Sequence, residues 1–449
     1  MSYNSIRIYG KFDELSSYLN KLDRKYEGEP VFQEEPEEYA EDIPTASKEL
    51  IPQTSGGILK IKFDEISQTD IQFKYFIDGV VETRVIRKIN VKGITVPIHL
   101  VVCGAGVFER TDEREIKPIS NSIVLLRFIA FPYTTLKEMD SSLEPPPGVR
   151  LNDAKPLFDN LGMLQKGAWL DTSVSFGRDI RVIERQDLLK TGYVRVRARN
   201  EAKIVMRILE VGVLYLLKNS KIFDDNYLIA FDGPISPLHI YAKLVSEKIF
   251  GLYELSDKNV SYNMLKNVVG CVKRVYKVPS DETLYTIFNR NIEEQIFVVY
   301  PMSAVVRPLR QESEDESELE DLVKATLSAF TVLRPELSEI YRERVISNMS
   351  MVARFDIPLP NICGDEEDWY LDEFLNKVFS DIFPNKFANL SNDKGKSLYK
   401  ILKGIVIEKY PIPSAHGTRI FTELYPVYEA ELWLRSYVKE LMLESMFAV

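Results

Sequence analysis

The sequence predicts an α/β fold, a mixed sheet with helices on its faces. Three observations carry this. Aromatic and β-branched runs at 71–77 (IQFKYFI), 83–90 (TRVIRKIN) and 94–108 (ITVPIHLVVCGAGVF) follow one another over short links, as in an antiparallel meander. A stretch rich in Ala, Leu, Met, Arg and Glu then spans 197–218 with no Pro and one Gly, which reads as a helix apolar around most of its circumference. Beyond it, short apolar strands alternate with helical segments, the order expected of a sheet covered by helices.

Taken in order, residues 29–42 (EPVFQEEPEEYAED) hold seven carboxylates and no Lys or Arg, and 43–57 are rich in Pro, Ser, Thr and Gly. Like charges repel and resist packing, so residues 1–57 read as an acidic segment and linker, with the ordered core starting near Ile58. The remainder, 58–449, reads as one elaborated domain with core elements over about 70–300 and a C-terminal elaboration over 301–449. After the meander comes a mixed region, 109–190, with the turn signal PPPG at 145–148. Strands are expected at 227–231 (YLIAF), 267–275, 296–300 and 349–357. Helices are expected at 238–250, 317–330, 369–379 and 428–446.

Composition narrows the function classes. Of 449 residues, 57 are Lys or Arg and 67 are Asp or Glu, a net charge of −10 that at face value disfavours a nucleic-acid partner. Yet a second run, 312–321 (ESEDESELED), holds seven more acids without a base. With both runs set aside, 53 acids face 57 bases, so the rest of the chain is mildly basic. Three cysteines (Cys103, Cys271, Cys363) exclude a disulfide framework and point to a reducing, cytoplasmic setting. No signal peptide is expected, and no uncharged apolar run reaches the ~18 residues of a membrane span; 122–131 is broken by Arg127. There is no CxxC pair, HExxH or GxSxG, and Gly395-Lys396-Ser397 lacks the first glycine of a P-loop.

The chemistry-bearing signal is a pair of strand endings. FIDG (76–79) and FDGP (231–234) each set an Asp after an apolar strand and before a Gly. On neighbouring strands, Asp78 and Asp232 would converge at one edge, where two carboxylates repel unless a cation lies between them. Mg²⁺ and Mn²⁺ take such oxygen ligands. The intervening helix offers Glu201 and Glu210; Glu210 lies among Ile208, Leu209, Val211 and Val213, where a carboxylate is costly without a partner. Each Asp-Gly alone also reads as a turn, and each Glu as a solvated residue. The ordered set of strand-Asp, meander, helix-Glu and strand-Asp is more specific, and it is the order in which a ribonuclease-H-like fold presents its metal-binding acids. Of the histidines, His99 reads as a satisfied core residue and His239 as a helix-start residue. His416, in the Pro-fixed turn YPIPSAHG (410–417), is a candidate for metal binding or proton transfer.

FIDG, the helix before YLIAFDGPI, GCVKRV, VARFDIP and YPIPSAHG resemble, in that order, the NurA nuclease family, over about 73–417. The resemblance implies a ribonuclease-H-like core, DNA cleavage with Mn²⁺ or Mg²⁺, and a homodimer working with the hexameric ATPase HerA in DNA end processing or antiviral defence. By position it implies Asp78, Asp232, Glu210 and His416 as metal ligands. Lys273 and Tyr410 complete the catalytic set, and Glu210 fits the helical position better than Glu201. Arg195, Arg197 and Arg199 (RVRAR), with Lys273 and Arg274, are candidates to grip the strand, or else a solvated helix start and strand end. The alternative is a catalytically silent DNA-binding subunit of the same assembly.

Overall fold

The computed structural model describes residues 6–31, 49–50, 56–67, 71–153, 167–176, 180–235, 263–273, 275, 277–278, 287, 293–302, 325–334, 352–364, 372–409 and 422–447. Tyr410, His416, His239, Arg274, the helix expected at 238–250 and the acidic run 312–321 lie outside the described residues, as does most of 29–42.

The main elements are β1 (Ile6–Tyr9), α1 (Asp13–Tyr26), β2 (Gly57–Lys62), β3 (Phe73–Val91), β4 (Ile94–Arg110), β5 (Ile123–Phe131), α2 (Tyr133–Met139), β6 (Ala168–Asp171) and α3 (Thr191–Lys218). They continue as β7 (Leu228–Asp232), β8 (Val268–Val272), β9 (Glu294–Pro301), β10 (Thr326–Thr331), β11 (Ala353–Pro358), α4 (Asp372–Ile382), α5 (Asp393–Ile407) and α6 (Tyr425–Phe447). Among the described residues one mixed sheet of 14 strands runs β2-β9-β10-β11-β8-β7-β3-β4-β5-β6, with short strands added at its flanks. The three runs expected to form a meander make only two strands, because 71–77 and 83–90 both belong to β3; the antiparallel meander is β3, β4 and β5, and β5 falls in the region read only as mixed. β7 then lies parallel to β3 on one side and to β8 on the other. The protein is therefore mixed α/β, as the alternating sequence pattern predicts.

Several boundaries differ from the sequence reading. β3 does not end at FIDG; it runs through Asp78-Gly79 to Val91, kinked by an irregularity between Val85 and Arg87, because β4 pairs with it along its whole length. The core also begins upstream of Ile58. β1 pairs in parallel with β5, and α1 buries Leu15, Leu19 and Leu22 against the sheet. Glu29–Pro30, read as part of a solvated acidic loop, forms a short strand opposite Arg87 and Lys88 of β3. The C-terminal part of the helix expected at 317–330 is instead strand β10, buried throughout and paired with β9 and β11 on both sides. Pairing on two sides there outweighs a local preference.

The two faces are fixed by parity. Successive strand residues point to opposite faces. Asp78 pairs with Gly106, where an added Cβ would meet Leu434 of α6; Asp78 therefore faces α6. A Cβ on Gly79 would meet Glu210 of α3, so α3 covers the opposite face. All three cysteines are free. Among the described residues no helix is long and apolar enough to cross a membrane.

Candidate active site

The site forms where β7 stops and β3 continues. The last parallel pair is Phe231 with Ile77, which sets Asp232 beside Asp78 one step further along. Adjacent strands lie about 4.8 Å apart, so the two carboxylates face α6 side by side. β7 ends because Gly233 turns the chain at φ +108°, a left-handed conformation that disfavours any side chain. Its N–H donates to the Cys271 carbonyl at 2.8 Å.

Asp78 is 1 % exposed. Its Oδ1 accepts the Gly79 N–H at 2.7 Å, whereas its Oδ2 is buried with no hydrogen-bond partner. Burial first, and the neighbouring Asp232 second, push its carboxyl well above the ordinary range. From the opposite face Glu210 presses its carboxylate against Gly79. A Cβ there would lie 2.3 Å from Glu210 Oε1, so glycine is required by this approach and not by a turn. Glu210 Oε2 accepts from Arg207 at 2.6 Å, and the same guanidinium donates to the Asp232 carbonyl at 2.5 Å. Glu210 Oε1 is a second buried oxygen without a hydrogen-bond partner. Burial raises the Glu210 carboxyl to about 7 even though Arg207 opposes the rise.

Lys273, just past the end of β8, joins this pair to the C-terminal region. Its ammonium sits 3.1 Å from Asp232 Oδ1 and 3.6 Å from Glu431 Oε2, and it pairs with Glu423. Burial alone would lower its pKa, but Asp232, Asp78, Glu423 and Glu431 together hold it well above the ordinary lysine value. Glu431 is held in turn by Arg435 one turn along α6, at 2.6 Å. Glu423 and Glu431 were not singled out from the sequence. The signal was present for Glu431: Val427, Ala430, Leu434, Val438 and Leu441 make the buried stripe of α6, and Glu431 falls on that stripe.

The structure thus brings together Asp78, Asp232 and Lys273 on one face, with Glu210 approaching the same strand ends from the other. Glu201 is elsewhere; its carboxylate pairs with Arg197 at 2.7 Å and accepts the Phe176 N–H at 2.7 Å, a fully structural setting. Arg195, Arg197 and Arg199 are also remote, since 11 or more helical residues before Glu210 correspond to about 16 Å or more along the axis. His99 is buried in β4 beside the Ala130 backbone of β5, the setting expected of a core histidine.

Among the described residues no group of three or more His, Cys, Asp or Glu side chains stands ready to hold a metal ion. The donor set nevertheless fits a hard divalent cation. Asp78, Asp232 and Glu210 offer oxygen ligands only, and Asp78 Oδ2 and Glu210 Oε1 are buried with no hydrogen-bond partner. No protein-family model matches the sequence, and no curated protein matches it.

Proposed function

We propose that the protein is a divalent-metal-dependent DNA nuclease of the NurA type, with a ribonuclease-H-like core and a HerA-like ATPase as partner. The observation that carries this reading is Asp78 beside Asp232 on adjacent parallel strands, with buried carboxylate oxygens left unpartnered. The element order supports it as well: an antiparallel meander, then a long helix bearing Glu210, then β7 returning beside the first strand.

In this reading Asp78, Asp232 and Glu210 hold Mn²⁺ or Mg²⁺, which when bound supplies a water of lowered pKa and neutralises charge on the departing oxygen. The protein's own groups do the rest. Arg207 Nη1 donates both to the Glu210 carboxylate and to the Asp232 carbonyl at the end of β7, so the ligands are set before substrate arrives. Lys273 brings a permanent positive charge to the strand ends, where a phosphodiester is to be held. His416 and Tyr410 belong to the proposed set through resemblance alone.

Purified protein is expected to degrade single-stranded DNA in Mn²⁺, and Asp78→Ala and Asp232→Ala to lose that activity. Equal degradation by all three proteins sinks the catalytic assignment. A second reading, a silent DNA-binding subunit, is favoured by one observation: Lys273 already supplies a cation to Asp232. It predicts DNA binding by the wild type with no cleavage in any divalent ion. Dimer formation and the ATPase partner are tested by mass determination on the chain co-purified with a HerA-like protein.

A further inference from the structure

Lys273 stands between two carboxylate pairs contributed by distant parts of the chain. On one side are Asp232 and its neighbour Asp78, from the parallel strands. On the other are Glu423 and Glu431, just before and within α6. Glu423 is 1 % exposed and Glu431 6 %, so neither is a casual surface acid. An ammonium carries three N–H donors, so one lysine can serve acceptors from both pairs at once. Here it is divided, with its shared contacts running from Asp232 to Glu423 and Glu431. Glu431 is itself anchored by Arg435, which holds that half of the C-terminal pair in place beside the ammonium.

We propose that Lys273 is a resident cation of the Asp78–Asp232 pair that competes with the divalent ion, and that Glu423 and Glu431 tune the competition by drawing its ammonium away. This rests on the proposed metal-nuclease reading. With no ion present, Lys273 offsets the repulsion of the two aspartates across β3 and β7. When an ion enters, two cations cannot share the same oxygens, and the ammonium is retained by Glu423 and Glu431. The protein thereby has a folded, charge-balanced form without the ion, and a retreat for the lysine that leaves it near the phosphodiester. Glu423 and Glu431 are positioning residues in this scheme, acting on the ion through Lys273.

The test is a binding titration of the full chain with Mn²⁺, following the free ion by electron paramagnetic resonance, so that no activity enters the readout. Lys273→Met is expected to bind Mn²⁺ about tenfold tighter than wild type, as removal of a unit charge beside the ligands requires. Lys273→Arg, which keeps the charge, is expected to bind like wild type. The double variant Glu423→Gln/Glu431→Gln is expected to bind about tenfold weaker, and the same double change in the Lys273→Met background to have little effect. Binding by Lys273→Met no tighter than wild type overturns the inference. So does an equal loss from the two Glu→Gln changes in both backgrounds, because they would then act on the ion directly. In either case wild-type binding leaves the metal-nuclease reading standing. Absence of Mn²⁺ binding in wild type and every variant overturns both. If Lys273→Met unfolds without ion, its refolding by Mn²⁺ at lower concentrations than saturate wild type supports the inference, and failure to refold overturns it.

Discussion

Asp171 and Asp78 are both buried carboxylates at the sheet, and the contrast between them separates structure from candidate function. Asp171, at the end of β6, is saturated. It accepts the Thr134 N–H, the Thr134 hydroxyl, the Ser173 N–H at 2.9 Å and an Arg150 N–H at 2.7 Å. Asp356 on β11 is saturated likewise, by Ser328, Arg354 and the Ile235 N–H. Asp78 has one local hydrogen bond and one buried oxygen with no hydrogen-bond partner, beside a second aspartate. A fold that needs a carboxylate for its own stability surrounds it with donors. Asp78 lacks that surround, which makes it a candidate for a role other than holding the fold.

The largest expected effects test that contrast directly. Asp171→Ala should cost about 3 kcal/mol in chemical denaturation, since it strips partners from several donors at once. Asp78→Asn should change stability by less than about 1 kcal/mol, because the amide keeps the Gly79 contact and removes a repelling charge. The same change should lower Mn²⁺-dependent cleavage more than about 100-fold. A large stability loss for Asp78→Asn would erase the distinction.

His99 sharpens the comparison, for a buried titratable group need not be a ligand. Burial lowers its pKa from 6.5 to about 4. Between these values the unfolded chain binds a proton that the folded chain refuses, so stability falls as pH drops through that window. The full loss is about 3 kcal/mol, reached below pH 4. His99→Leu should remove this share of the pH dependence when denaturation is measured from pH 7 to pH 4; an unchanged slope would refute it.

Gly79→Ala is next in size. It should cost about 2 kcal/mol and displace Glu210, whereas Gly106→Ala, whose nearest contacts are movable side-chain ends at 3.1–3.2 Å, should cost under about 1 kcal/mol. Equal costs at the two glycines would show that the Glu210 approach is not what demands glycine. The smallest effect is expected at Glu201→Gln: about 1 kcal/mol of stability from the Arg197 pair, with cleavage unchanged. Loss of cleavage there would return Glu201 to the site.

The legible part of this protein was what local pattern encodes. The apolar runs that build β3 and β4 and the apolar strand before Asp232 follow from β-branched and aromatic composition, whereas the expected division into two strands at Asp78-Gly79 does not, since β3 runs through it. Gly79 was misread as a turn because Asp-Gly is a turn dipeptide, while its reason lies more than a hundred residues away in Glu210. Glu431 was passed over because a Glu in a helix looks solvated, although its place on the buried stripe of α6 was readable; Glu423, just before α6, lies in no such pattern. Nor does sequence order tell which face a residue takes. Asp78 and Gly79 are consecutive, yet they address α6 and α3 respectively.

The contact between residues 79 and 210 also makes the history of the two positions unsymmetrical. A side chain gained at 79 while Glu210 is present meets its carboxylate at 2.3 Å, whereas Glu210→Ala removes all three of the atoms nearest to such a side chain. A change at 210 therefore relieves the contact for a later change at 79, whereas a change at 79 made first has to displace the Glu210 side chain. Gly79→Ala/Glu210→Ala should accordingly be more stable than the sum of its single changes, by about 1–2 kcal/mol. A lineage that lost the chemistry would keep its glycine for a time as the trace of a carboxylate no longer there.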